Sequence, residues 1–329
     1  MTGAGAWGTT LAMVAHRAGR QVLLLSRSAD VVEHLRLRRQ HPTSLAGVKI
    51  PNEIDVQELR FWIPHADDVV LLAIPVQQLR MAVGELPQSL NQTVIVNVGK
   101  GIEVVTMLSP LAILEQVIPD VDVSRLAVLS GPNLALEIAR GQPATAVVAS
   151  RSTETAERIQ LELSSASFRI YTGSDTIGVE MGGALKNIIA IGAGIADGLG
   201  AGHNAKAAFL TRGIAEIARL GIACGAEPMT FAGLSGIGDL IATCGSTLSR
   251  NHTVGRGLAE GHALDEIVAM MSETAEGIET TRAALSLAEQ LGVNVPIIRG
   301  MHSVLFEGAS PVQAAADLMA RDPTSESFM

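Results

Sequence analysis

The chain has 329 residues, 47% of them hydrophobic and only 3% aromatic, with a formal net charge of −9. That length suits two domains of ordinary size with aliphatic, small-residue cores, and the acidic balance speaks against broad nucleic-acid binding. The only cysteines, Cys224 and Cys244, make no disulfide framework and point to a reducing compartment, the cytoplasm. No basic segment with an apolar run opens the chain, so no signal peptide is read. Residues 177–201 are the one stretch of membrane-spanning length. Glu180, Lys186, Asn187 and Asp197 within it argue for a buried core helix instead, because charges are costly in lipid.

The first element is a turn. Gly3-Ala4-Gly5-Ala6-Trp7-Gly8 fits the pattern G-x-G-x-x-G and leads into a helical run over 9–18, which Gly19 stops. Gly3 permits a tight turn, Gly5 lets backbone approach a pyrophosphate, and Gly8 lets helix and sheet pack closely. The helix N-terminus then faces the diphosphate. Only Met1 and Thr2 precede the turn, too few for the strand the pattern requires. Strand-like apolar runs follow at 21–26, 68–74, 93–98, 126–130, 145–149 and 168–171. Runs of this kind fit strands covered on both faces. Their alternation with helical patterns predicts a doubly wound parallel sheet. At the end of the run over 21–26 an acid would accept from the ribose of NAD. Ser26-Arg27-Ser28 stands there instead, and Arg27 tilts the reading toward NADPH over NADH.

Beyond residue 172 the pattern turns helical, with long segments at 177–199, 205–224, 275–291 and 311–319. Ser310-Pro311 opens the last as an N-cap and first-turn pair. The polar tail over 321–327 is expected to be disordered.

Four lysines, Lys49, Lys100, Lys186 and Lys206, stand among 24 basic residues. Arginine keeps its proton in a protein while lysine can release one, so the few lysines hint at proton chemistry. Lys186 lies in Gly182-Gly183-Ala184-Leu185-Lys186-Asn187-Ile188-Ile189-Ala190, apolar or small nearly all round. Such a helix is buried, and its lysine needs a partner or a lowered pKa. That environment suits a general acid/base; a snorkelling lysine is the plainer alternative. Asn187 would orient the lysine or a substrate hydroxyl. Lys100 and Gly131 lie at the C-terminal ends of strand runs, where doubly wound sheets bind ligands. Ser249-Arg250-Asn251 offers several donors and a fixed positive charge suited to a phosphate dianion, and Asp239 could fix Lys186 or a substrate hydroxyl.

In order, GAGAWGTTLA, GKGIE, LSGPNLALE, GGALKNIIAIGAGIADGLGAGHNAKAA, LTRGIAEIARLG, GLSGIGDLIATC, LSRNHTVG and AEGIETT resemble the bacterial-type NAD(P)-dependent glycerol-3-phosphate dehydrogenase family over nearly the whole chain. The resemblance implies an α/β Rossmann-type N-terminal domain, here without its first strand, and an all-α C-terminal domain. We set these as an NAD(P)-binding domain over 1–172 and a helical substrate and catalytic domain over 173–329. It implies reversible reduction of dihydroxyacetone phosphate to sn-glycerol 3-phosphate with NADP or NAD, supplying glycerophospholipid synthesis. Lys186 would be the catalytic proton carrier. Lys100, Gly131, Asn133, Lys186, Asp239, Ser249, Arg250 and Asn251 would contact substrate. Gly3, Gly5, Ala6, Trp7, Gly8, Arg27, Lys100, Ala135, Arg250, Thr274 and Glu276 would contact the cofactor, with no metal required. Asn133 stands where serine or threonine is common in the family, and Thr274 where valine is common.

A homodimer is compatible with this reading; a membrane span or a nucleic-acid partner is not. Two alternatives stay open: a β-hydroxyacid dehydrogenase of the same architecture, and a non-enzymatic NAD(P)-binding protein. The short lead before Gly3 carries its own expectation, a start codon upstream of Met1, with a truncated copy as the competing account. A lost central strand would cost several buried aliphatic side chains, each about 1.5–3 kcal/mol.

Overall fold

A computed structural model describes residues 1–271 and 274–322. The backbone divides into two compact units, one of residues 1–99 and 110–176, the other of residues 100–109 and 177–329.

In the first unit, helices α1 (Ala6–Arg17), α2 (Ala29–Arg38), α3 (Val76–Gly84), α4 (Pro110–Val117), α5 (Ala135–Ala139) and α6 (Thr153–Leu163) are interspersed with seven strands. These are β1 (Leu23–Ser26), β2 (Asp55–Glu58), β3 (Val69–Leu72), β4 (Val94–Asn97), β5 (Leu126–Ser130), β6 (Ala144–Ser150) and β7 (Phe168–Gly173). β1 pairs with β2 in parallel, and β3 to β7 follow one another in order. Met1–Gly3 lie between the two groups. Thr2 bridges Leu25 of β1 and Leu72 of β3; Thr2 N–H donates to Leu71 O at 2.9 Å and Gly3 N–H to Leu25 O at 3.0 Å. The central position is thus held by a bridge rather than by a strand.

The expected doubly wound parallel sheet has one antiparallel seam. β6 runs antiparallel to β5, with Val128 opposite Ala149, while β7 is parallel to β6. The connection from β5 to β6 carries only the short α5, and an antiparallel return needs no full crossover helix. The sequence reading also passed over β2, whose Asp55, Gln57 and Glu58 break the apolar pattern. Helix α1 contributes to two clusters of the unit's core. Leu11 and Val14 join Val94, Val96 and Leu129, whereas Ala12 and Met13 join Leu24, Leu35 and Val56. Short polar side chains start several helices: Ser28, Ser152 and Ser310 each accept from a first-turn backbone N–H.

The second unit is helical: α7 (Thr176–Gly198), α8 (His203–Ala223), α9 (Asp239–Gly245), α10 (Arg250–Ala259), α11 (Leu264–Met270), α12 (Gly277–Leu291), α13 (Pro296–Phe306) and α14 (Pro311–Met319). Among the described residues α7 is the one helix long and apolar enough to cross a membrane, and 94% of its most apolar window is buried inside the protein. Its glycines let other backbones approach. A β-carbon on Gly194 would collide with the His252 carbonyl, and one on Gly255 of α10 with the Ile191 carbonyl. In both directions a glycine of one helix faces the backbone of the other, so α7 and α10 cross closely. The 100–109 segment packs with this unit: Ile102 is in its core, and the Ser109 hydroxyl donates to Glu180 Oε2 of α7 at 2.6 Å. From residue 323 onward, the tail expected to be disordered lies outside the described residues.

Candidate active site

Lys186 lies halfway along α7 with 6% exposure. Its chemistry is decided by α9, which follows a single π turn over Leu234–Gly238. That turn is closed by Gly238 N–H donating to Gly233 O at 3.1 Å. A β-carbon on Gly236 would strike the Phe231 carbonyl, and one on Gly182 of α7 the Ser235 carbonyl. The close approach delivers Asp239, 1% exposed, to the lysine. Lys186 Nζ donates to Asp239 Oδ1 at 2.9 Å and to Thr243 Oγ1 at 2.5 Å. The Thr243 hydroxyl in turn donates to Asp239 Oδ1 at 3.0 Å. Lys100 Nζ donates to the other carboxylate oxygen, Oδ2.

Burial is the main force on the Lys186 ammonium and lowers its pKa to about 8; Asp239 works against that shift and the Lys100 charge adds to it. Burial by itself would raise the Asp239 carboxyl, but the two ammonium groups outweigh it and hold its pKa below the usual carboxylate range. One carboxylate between two lysines is a charge set with net +1, built around the buried Asp239 and Lys186. An ammonium has three N–H bonds; Asp239 and Thr243 take two, and a third is what a general acid needs. Thr243 was not singled out from the sequence. Its signal was the four-residue spacing from Asp239, which puts both on one face of a helix.

A second cluster stands at the start of α10. Ser249 is its N-cap, and the Ser249 hydroxyl accepts from His252 N–H at 3.3 Å. Asn251 Nδ2 donates to Asn187 Oδ1 at 2.9 Å, and Asn251 Oδ1 accepts from Gly277 N–H at 3.0 Å, so Asn251 links α7, α10 and α12. Arg250 is exposed and donates through Nη1 to the Thr274 carbonyl at 2.7 Å. That contact uses backbone, so the side chain at 274 is free to vary. Glu276 is the N-cap residue of α12.

The remaining predicted residues belong to the first unit, and whether they suit a dinucleotide is a question of shape and unmet polarity. Gly3 has φ +96° and lies against the Ala73 carbonyl, while a β-carbon on Gly8 would collide with the Gly3 carbonyl. Gly5, the N-cap of α1, carries no side chain to satisfy the first-turn N–H groups, and its β-carbon direction is open space. The first intrahelical bond is Thr9 N–H to Gly5 O, so Ala6, Trp7 and Gly8 present N–H groups that a diphosphate would accept. The Trp7 indole donates to Val98 O at 3.1 Å. Thr9 Oγ1, Asn97 Oδ1, Ser130 Oγ and Asn133 Oδ1 are buried without a hydrogen-bond partner. Buried polar atoms are nearly always paired, and Asn97 and Ser130 end β4 and β5, so a polar ligand fits here. Gly131, φ +147°, is packed against Ala146 and Thr145, and Asn133 Nδ2 donates to Thr145 O at 3.0 Å. Ala135 O accepts from Thr10 Oγ1 at 3.2 Å. Arg27 is exposed at the end of β1 and donates to Gln78 Oε1 at 3.0 Å, leaving guanidinium donors for an anion.

Residues 1–156 match the family described as NAD-dependent glycerol-3-phosphate dehydrogenase N-terminus, and residues 175–316 match its C-terminus. The chain is 43% identical to glycerol-3-phosphate dehydrogenase (NAD(P)+) of Chlorobium phaeobacteroides over 325 residues, covering 98% of this chain and 97% of that protein. It is 44% identical to the enzyme of the same name from Frankia casuarinae over 324 residues, covering 98% and 96%. The crystal structure of glycerol-3-phosphate dehydrogenase from Coxiella burnetii superposes with a TM-score of 0.87 at 30% identity, covering 97% of this chain and 98% of that one.

Proposed function

Because the chain belongs to the NAD-dependent glycerol-3-phosphate dehydrogenase family, we propose that it reduces dihydroxyacetone phosphate to sn-glycerol 3-phosphate, reversibly, with Lys186 as the proton carrier. The observation that carries the assignment of Lys186 is its position: a buried ammonium with pKa about 8, held by Asp239 and Thr243. When bound, the nicotinamide cofactor supplies the hydride taken up at C2.

Lys186, as ammonium, donates its proton to the C2 oxygen as negative charge develops there. Lys100 adds a second positive charge that favours the alkoxide. Asp239 and Thr243 fix the Lys186 amine and take two of its N–H bonds, which leaves the third for the substrate oxygen. Ser249, Arg250 and Asn251 grip the phosphate: Arg250 through its charge, Ser249 through its hydroxyl proton, Asn251 through the second proton of its amide. That remote binding energy orients C2 for reaction. In the reverse direction neutral Lys186 takes the proton from the C2 hydroxyl. The substrate contacts at Lys100, Gly131 and Asn133 belong to the same proposal. So do the cofactor contacts at Gly3, Gly5, Ala6, Trp7, Gly8, Arg27, Lys100, Ala135, Arg250, Thr274 and Glu276, with Arg27 favouring NADPH. We also assign the enzyme to the cytoplasm, with its product entering glycerophospholipid synthesis; a homodimer is compatible with this reading.

The test is initial-rate kinetics at the nicotinamide absorbance band, with dihydroxyacetone phosphate and dihydroxyacetone as substrates and NADPH and NADH in parallel. Charge-assisted bonds to the phosphate, about 1.5–3 kcal/mol each, should favour the phosphorylated substrate at least a hundredfold in kcat/KM. Equal values would remove the Ser249–Asn251 assignment. Lys186→Arg keeps the charge and loses proton release, so near-normal turnover in that variant would remove the acid/base role.

A further inference from the structure

Asp197 is the penultimate residue of α7, where the helix dipole disfavours a negative charge. Two partners hold it there. Lys206 Nζ, from the first turn of α8, donates to Oδ1 at 2.9 Å and to Oδ2 at 2.7 Å. His252 Nε2 lies 2.7 Å from Oδ2. Burial would raise the Asp197 carboxyl, but the bonds from Lys206 and His252 outweigh it and keep its pKa lowered. The group is therefore a carboxylate at neutral pH and can only accept, so the proton of this contact sits on His252 Nε2.

His252 is the third residue of α10 and is 6% exposed. Its backbone N–H donates to the Ser249 hydroxyl, and the two residues between them are Arg250 and Asn251. Ring and backbone of one buried residue thus tie Asp197 to the turn that presents all three predicted phosphate ligands. The glycine contacts between α7 and α10 set how close the helices come. Glycine has no side chain to set how far α10 is rotated about its own axis. A hydrogen bond to a side chain projecting from α10 does set that rotation.

We propose that Asp197, acting through His252, is a positioning residue for Ser249, Arg250 and Asn251, and so determines the preference for a phosphorylated over an unphosphorylated substrate. This rests on the reading that these three residues grip the phosphate. Asp197 itself touches neither substrate nor reacting atoms.

The experiment measures kcat and KM for dihydroxyacetone phosphate and dihydroxyacetone in the unsubstituted protein and in Asp197→Asn, His252→Leu and Arg250→Ala. Loss of a bond to a charged group corresponds to about a tenfold change or more. Asp197→Asn and His252→Leu should lower the ratio of the two kcat/KM values by about that factor, through KM for the phosphorylated substrate. Turnover of dihydroxyacetone should stay within about twofold, which also shows that the variants fold. If Arg250→Ala leaves the ratio intact, the phosphate reading fails and takes the proposal with it. If Arg250→Ala collapses the ratio while Asp197→Asn and His252→Leu keep it, or slow both substrates equally, the positioning role alone is overturned.

Discussion

Thr243→Val removes one hydroxyl from the lysine site and replaces it with a methyl group of similar size. Thr243 is 5% exposed, so the methyl fills the space left by the oxygen. Lys186 keeps Asp239 at 2.9 Å and loses its 2.5 Å bond to the Thr243 oxygen. A hydrogen bond to an ionised group contributes about 1.5–3 kcal/mol, here in favour of the ammonium over the neutral amine. At about 1.36 kcal/mol per pH unit, the Lys186 pKa should fall by about one to two units from its value of about 8. Reduction needs the ammonium, so its kcat/KM is full below this pKa and declines as pH rises through it. In the variant the decline begins one to two units earlier. Near pH 8 the protonated fraction, and with it the rate, should be roughly five- to fiftyfold below wild type, with near-parity at pH 5.5. Oxidation needs the neutral amine, so its acid-side limb should move down by the same interval. Initial rates between pH 5 and 9 in both directions measure this, with Thr243→Ser as the rescue and a thermal melt as the folding control. An alkaline limb that stays at the wild-type position in Thr243→Val, at whatever absolute rate, would refute the claim that the hydroxyl supports the charged lysine.

Two stability predictions follow from the helical unit. Gly194→Ala sets a β-carbon against the His252 carbonyl; overpacking of this kind costs about 1–3 kcal/mol, so the thermal midpoint should drop by several degrees, and an unchanged midpoint would contradict the close crossing of α7 and α10. Glu216 accepts from Ile297 N–H at 2.9 Å and Ile298 N–H at 2.7 Å at the start of α13, and burial pushes its pKa up to about 7. A carboxyl whose folded pKa is raised stabilises the fold below its unfolded pKa of about 4.3 and loses that contribution as pH rises to about 7. Over this window the loss is on the order of 3 kcal/mol. Denaturant unfolding of wild type and Glu216→Gln should therefore differ by an amount that changes across the window. A difference constant from pH 5 to pH 7 would show that Glu216 does not titrate there.

Much of the candidate site was legible because its signals are local. The glycine turn, the run of small residues around Lys186 and the Ser249-Arg250-Asn251 triplet each announce their chemistry within ten residues. The resemblance to a known family rests on the segments that hold these three features and on five further segments spread over nearly the whole chain. Strands β3, β4 and β5 could be read because each is a continuous apolar run. The polar β2 could not, because only pairing with β1 makes it a strand. The reversal of β6 was hidden for a related reason: an apolar strand covered on both faces carries the same pattern in either direction.

By itself, then, the sequence determined that Lys186 is buried, that the chain starts on a nucleotide-type turn, and that Arg250 stands among hydrogen-bond donors. Only the tertiary structure decided what those groups face. Lys186 and Thr243 are 57 positions apart, and Asp197 and His252 are 55 apart. No periodicity spans such intervals. These pairs exist because glycines on α7 and α10, and in the turn before α9, let backbones approach until side chains from distant segments share one carboxylate. The chain encodes that closeness as the absence of a β-carbon, and its meaning depends on which backbone comes to lie opposite.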